Sequence, residues 1–267
     1  MKSSSMRRLA AVSLAAMTLT PAYAAEGGPC RASSGPATVP VIELYTSEGC
    51  DSCPPADRWL QAQFAPGKTG ADAIALAFHV DYWDRLGWTD RFGSAAYTDR
   101  QRAAMRANGE AFVYTPQVLL QGRNFDQWRK GSPAAALAKI SASAPRAAIE
   151  LEASVDPVSR ATTVRASARP ASATGAKPAV LSVAYTDSAL VSEVKAGENS
   201  GVRLTHDHVV RALKTVPLQG SGEGTLTALF ERPSEAGSTP TVVAFVQQRD
   251  DGEILQAVAL PLAACVR

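Results

Sequence analysis

The chain has 267 residues, 46% of them apolar, with 27 Lys and Arg against 25 Asp and Glu and a formal net charge of +2. So even a balance offers no basic field to nucleic acid or anionic lipid, and the length permits one large core or two small ones. The first 24 residues stand apart. Lys2, Arg7 and Arg8 precede an apolar run, Leu9–Leu19, and a small-x-small step at Ala22-Tyr23-Ala24. This is the layout of a cleavable export leader, residues 1–24, whose apolar run is too short to span a bilayer. Removing it leaves 24 basic against 25 acidic residues. Gly27-Gly28-Pro29 ahead of Cys30 does not form a lipoprotein box. The expected destination is the periplasm or the medium, without membrane insertion.

Next comes Val39–Thr46, β-branched and apolar except for Glu43, which reads as a buried strand. A short polar turn carries Cys50 and Cys53, and Pro54–Phe64 follows with Trp59, Leu60 and Phe64 at helical spacing. Two cysteines separated by two residues at a helix mouth form a redox motif. One turn lets the sulfurs meet, and the positive helix end favours a thiolate. Cys53 precedes Pro54, which disfavours the α region, so Cys53 is expected at the N-cap with Cys50 in the turn ahead. Glu48 and Asp51 oppose thiolate formation and point to a reducing couple, with Arg58 set to compensate Asp57.

Ala73–Val80 reads as a second buried strand, parallel to the first if the helix between them is a crossover. His79 on that strand is expected to be a satisfied core histidine. The stretch from His79 to Arg91 then gathers Tyr82, Trp83 and Trp88 among acids and arginines. Loops after strand ends line crevices in α/β sheets, so these aromatics are candidate substrate-groove walls, with Asp81 or Asp84 ordering them; the alternative is plain burial with ion-paired acids. Ser94–Ala107 and Pro133–Ile140 read as helices, with a short strand Val118–Gln121 between them.

Beyond the Ala/Ser/Pro-rich boundary Ser141–Pro145, the segments become short and alternating: Ala147–Val155, Ala161–Ala168, Ala179–Thr186, His206–Val216, Leu226–Glu231, Thr241–Gln248 and Ile254–Leu260. Seven such strands predict a β-sandwich over 146–265, following an α/β thioredoxin-like domain over 38–143. His206 and His208 share a strand face but lack a third ligand, and surface positions are expected for them.

Four cysteines in an oxidising compartment allow three pairings. Cys50 with Cys53 is the local one, which leaves Cys30 with Cys265, a structural bond joining the chain ends. The chain-entropy model gives that bond about 5 kcal/mol as an upper bound.

The words ELYTSEGCDSCPPAD, FHVDYWDRLGWTDRFGS, YTPQVLLQGR and GENSGVRLTHDHVVRAL resemble a family of secreted bacterial thioredoxin-like proteins catalogued as domain of unknown function 1223. The resemblance implies a thioredoxin-like part followed by a β-rich part, and no assigned reaction. By the thioredoxin arrangement Cys50 attacks and Cys53 resolves, and Thr115-Pro116 is the cis-proline step that faces the dithiol and binds substrate. Glu43, seven residues before Cys50, is a candidate proton shuttle to Cys53; the alternative is a strand-end cap or an arginine pair.

Three functions fit these residues. The first is an exported thiol–disulfide oxidoreductase that acts on protein or small-thiol disulfides, needs a redox partner and requires no cofactor or resident metal. The second is a copper(I) carrier holding the ion with Cys50, Cys53 and His79. The third is a binding module in which the Cys50–Cys53 bond is only structural.

Overall fold

The computed structural model describes residues 29–65, 73–171, 177–218, 222–231, 235 and 237–265. The leader expected over residues 1–24 lies outside them. In chain order, the edge strand β1 (Cys30–Ser33) is followed by β2 (Val41–Thr46), α1 (Pro54–Phe64) and β3 (Ile74–His79). Then come α2 (Ala95–Ala107), β4 (Gln117–Leu120), β5 (Arg123–Asn124) and α3 (Ala134–Ser141). The second half supplies β6 (Ala147–Val155), β7 (Thr162–Pro170), β8 (Ala179–Asp187), β9 (Leu190–Glu193), β10 (Arg203–His206), β11 (Val209–Leu218), β12 (Gly224–Phe230), β13 (Thr241–Gln248) and β14 (Ile254–Pro261).

The first half follows local rules. Alternation along β2 sends Ile42 and Leu44 towards Leu60 and Phe64 of α1, while Val41 and Tyr45 join Phe78 and Tyr97 on the other face. Helix α2 begins at Ser94, whose hydroxyl accepts the Ala96 N–H, the usual role of an N-cap serine. Strand β3 runs parallel to β2, as the intervening helix requires, and β4 returns antiparallel along the opposite edge of β2.

The expected architecture, an α/β thioredoxin-like first part followed by a separate sandwich, is corrected. The chain is mostly β, and no α/β unit stands apart in its first half. One eight-stranded sheet runs β14-β13-β8-β11-β3-β2-β4-β5, so strands from both halves share it. Strand β11 bridges to β3 at Val209 and Ala77, and Ala77 N–H donates to the His208 carbonyl. The same apolar cluster contains Tyr45, Leu76 and Phe78 from the first half and Ala184, Val243 and Phe245 from the second. A sheet edge left open at β3 is covered by strands of the other half, which removes an aggregation-prone edge and merges the two cores.

A second sheet, β1-β6-β7-β12, packs on the far strands of the large one, with Ile149, Leu151, Val164 and Ala166 facing Leu181, Val183 and Val242. Two sheets thus face each other across an apolar core, and β1 joins the smaller one from the other end of the chain, paired with β6. Cys30 and Cys265 form a disulfide at this end of the molecule. Strands β9 and β10 form a separate two-stranded ribbon inserted between β8 and β11. Its Leu190 packs with Phe92 and Val209.

Candidate functional site

Strand β2 ends at Thr46, and the turn that follows closes with Cys50 N–H on the Ser47 carbonyl. A second turn brings Cys53 N–H to the Cys50 carbonyl, and α1 starts at once, with Ala56 and Asp57 N–H both on the Cys53 carbonyl. Cys53 is the N-cap, as read from the sequence. Its backbone is helical (φ −79°, ψ −39°) despite the following proline, because those two bonds draw it into the first turn. Cys50 and Cys53 are joined in a disulfide at the mouth of the helix.

Neither sulfur-bearing residue has any exposed surface. The Thr115–Pro116 bond is cis, and the Thr115 hydroxyl lies 3.3 Å from Cys50 Sγ. Trp83 Nε1 donates to that hydroxyl oxygen at 2.8 Å. An indole N–H can only donate, so the Thr115 oxygen accepts and its own hydrogen is left for sulfur. Ser52 Oγ stands 3.4 Å from the same sulfur. Cys50 thus faces two hydroxyl groups, each suited to a thiolate.

The other aromatics named from sequence also gather here. Tyr82 lies beside Trp83 at 6.3 Å between centroids, and Trp88 Nε1 donates to Glu48 Oε2 at 2.7 Å. All three are half-buried around the turn rather than facing an open groove. Glu43 sits elsewhere. It points to the face of β2 away from α1, where Arg100 Nε and Nη2 both reach Glu43 Oε1, at 3.0 and 2.5 Å. The pairing with an arginine, one of the alternatives for a carboxylate in this strand, accounts for it.

Behind the disulfide lies a buried polar cluster. Asp57, one helical turn beyond Cys53, accepts the Thr46 hydroxyl at 3.2 Å. Burial pushes its carboxyl up, and His206, His79 and Thr46 pull back only in part. No ion pair joins it to Arg58 among the described residues. His79, a buried core histidine as expected, meets Asp90 through Nδ1 at 2.7 Å. His206 corrects the surface expectation: it is 3% exposed, with Nε2 3.2 Å from Glu48 Oε1 and its ring 5.0 Å from that of His79. His208 instead bonds the Phe64 carbonyl at 2.7 Å. For Glu48, burial works to raise the carboxyl, and His206, Ser192 and Trp88 outweigh it and hold the group below its usual range. Among the described residues no group of three or more His, Cys, Asp or Glu is arranged to hold a metal ion.

The His79–Asp90 pair makes a pH prediction. Burial works to raise Asp90, but His79 and the Glu48 and Phe92 N–H groups bring it down to about 2. A depressed carboxyl contributes stability in full above its ordinary value of 3.8, and loses it as pH falls from there towards about 2. Burial likewise opposes the charged form of His79, yet Asp90 raises it, so its share is complete below 6.5 and fades as pH rises through the raised value. Asp90→Asn is expected to cost about 2 kcal/mol at pH 5, measured by urea unfolding, with a smaller difference from wild type at pH 2.

The residues missed from sequence sit in the connection between β9 and β10. Asn199 Nδ2 donates to both the Glu48 and Cys50 carbonyls at 2.9 Å, and Glu198 accepts the Asp51 N–H at 3.2 Å. The motif GENSG holds these residues, but nothing local in it points to cysteines about 150 positions earlier.

Fold and site together define a mostly β protein that carries a helix-mouth Cys-x-x-Cys disulfide beneath a β-ribbon. The chain belongs to the family described as "Protein of unknown function (DUF1223)", which matches residues 41–247. Among solved structures it is similar to protein AGR_C_4864 from Agrobacterium tumefaciens, with 27% identity, a TM-score of 0.57, and coverage of 84% of this chain and 94% of that one. It shares its fold with HBP35 of Porphyromonas gingivalis at 14% identity and a TM-score of 0.60, over 85% of this chain and 76% of that one. No curated protein matches.

Proposed function

We propose that this protein is an exported thiol–disulfide oxidoreductase, a reductase or isomerase working through Cys50 and Cys53. The observation that carries the reading is the path from Trp83 N–H through the Thr115 hydroxyl to Cys50 Sγ, at the positive end of α1. Such a path serves a sulfur that becomes an anion and has no use at an inert bond. In the reduced protein the Cys50 thiolate attacks a substrate disulfide, forms a mixed disulfide and expels one substrate thiolate. Cys53 then attacks the Cys50 sulfur, restores the Cys50–Cys53 bond and releases the second substrate thiolate. Two electrons pass to the substrate; Cys53 gives up one proton, and the other, lost when Cys50 ionised, returns from solvent to the substrate sulfurs. Asp57, with its carboxyl pushed up one turn from Cys53, takes the proton that Cys53 gives up. A partner dithiol resets the pair. Buried, ionised Glu48 beside the turn disfavours a thiolate and biases the couple towards donating electrons. The leader-like start supports export to the periplasm.

Cys53→Ser is expected to trap a mixed disulfide through Cys50 when offered an oxidised peptide, read by mass spectrometry. Trapping through Cys53 in Cys50→Ser instead would reverse the roles. A reduction potential far below about −300 mV would mark a structural bond and end the enzymatic reading. Stoichiometric, tight uptake of copper(I) by the reduced form would favour a carrier.

A further inference from the structure

The Cys50–Cys53 bond has no exposed surface, yet sulfur exchange needs an attacking sulfur in line with it. Something must move. The turn bearing Cys50 is held by Asp90, Trp83 and Trp88 of the loop after β3, by Thr115 and, from the second half of the chain, by the connection between β9 and β10. We infer that residues 194–202, the tip of this ribbon, form a strap that lifts before the disulfide exchanges, that Asn199 is its latch, and that the substrate taking its place is a polypeptide. The inference rests on the redox reading and adds its gate and substrate class.

Three observations carry it. First, the strap touches the redox turn through polar side chains: Asn199 on two carbonyls and Glu198 on the Asp51 N–H. Each such bond is replaced by water when the strap lifts, so net cost per bond is small. Second, the strap pairs only with itself. Strands β9 and β10 form a two-stranded sheet hydrogen-bonded to neither large sheet, and such a ribbon is marginal unless packed. Its anchors lie at its base, where Leu190 meets Phe92 and Arg91 bonds Ser192 and the Val191 carbonyl. The base can stay docked while the tip moves. Third, the tip is shaped to fit tightly. Gly197 (φ +71°) rests against Trp88, and a Cβ there would come within 3.2 Å of Trp88 Cβ. Gly201 (φ +83°) lets the chain turn back, with its N–H on the Val194 carbonyl.

Lifting the tip uncovers the Glu48 and Cys50 carbonyls and the Asp51 N–H, beside Thr115. A polypeptide backbone supplies both donors and an acceptor for these groups, as strands do when they add to an exposed edge. A small dithiol leaves them to water. Asn199 is therefore a positioning residue: it keeps the turn closed and occupies the place of the substrate.

The test is the rate at which the Cys50–Cys53 bond opens at rising dithiothreitol, read by mass tagging resolved to the peptide. Wild type, Asn199→Ala and Asn199→Gln are compared, with global unfolding rates measured alongside. The wild-type rate is expected to level off well above the unfolding rate, because lifting becomes limiting. Asn199→Ala is expected to raise the plateau about tenfold, the effect of one or two lost hydrogen bonds, with a melting temperature lowered by only a few degrees. Asn199→Gln is expected to restore part of the latch. A rate that stays proportional to dithiothreitol, equal in all three proteins, overturns the strap and leaves the oxidoreductase reading standing. A plateau equal to the global unfolding rate overturns both. An unstructured oxidised peptide, offered to the reduced protein, is expected to be reduced faster than oxidised dithiothreitol at equal concentration; the reverse order overturns the substrate class.

Discussion

Replacing Arg100 with alanine is expected to destabilise the protein by about 3–5 kcal/mol, the cost of leaving a buried carboxylate without its partner. Glu43 is 1% exposed, and its carboxylate meets Arg100 Nε and Nη2. Arg100 also bonds Gln247 Oε1 at 3.0 Å and stacks over Phe78 and Phe245, with 5.1 and 5.3 Å to the ring centroids. Those rings come from the two halves of the chain, so one guanidinium ties β2, α2 and β13 together. The double variant Glu43→Leu/Arg100→Leu is expected to recover most of the loss, because apolar residues of similar volume often replace a buried pair at little cost. Urea unfolding at neutral pH gives both numbers. Glu43→Gln is expected to leave the opening rate of the Cys50–Cys53 bond unchanged, since the side chain lies across the sheet from α1. A slowed rate in that variant, with stability intact, would restore Glu43 as a proton shuttle.

Opening the terminal disulfide by Cys30→Ser/Cys265→Ser is expected to lower the unfolding free energy by up to about 5 kcal/mol, given a separation of 235 residues. The loss has two sources. The unfolded chain regains the freedom that the crosslink removed, which should appear as a steeper dependence on urea. The folded chain loses the anchor of β1, a four-residue edge strand in which only Cys30 and Ala32 pack on the core. When β1 frays, β6 becomes an open edge, and self-association visible by light scattering is the expected companion. An unchanged midpoint in the double variant would show that the packing of β1 suffices without the bond.

Much of the local structure was legible because local rules decide it. Apolar spacing over Pro54–Phe64 coincides with α1, Ser94 marked the start of α2, and six strands of the second half were read with their own bounds or within a residue or two. Neighbour relations beyond the β2–β3 crossover were not. Alternation along β13 says which residues face inwards, but nothing in it says that β8 lies beside it or that β11 reaches β3. The two halves therefore read as two folds, although their strands share one sheet. In the site, the cysteines and Thr115-Pro116 came from pattern. Asp57 was within reach of helix geometry, four residues past Cys53 and so on the same face. Asn199 and the burial of His206 depend on where an inserted ribbon lands, and no spacing rule reports that. Glu43 shows another limit: a charge in an apolar strand suggested a chemical role or an arginine pair, and its partner lies 57 residues on, at Arg100.

The pairing of β1 with β6 sets an order of events during synthesis. Cys30 emerges among the first described residues and Cys265 among the last, so this crosslink waits for the whole chain. Until then Cys30 has Cys50 and Cys53 as its nearest thiols, and oxidation in that interval makes wrong bonds that later need reshuffling. A chain of this design matures best where oxidant arrives late or an isomerase is at hand.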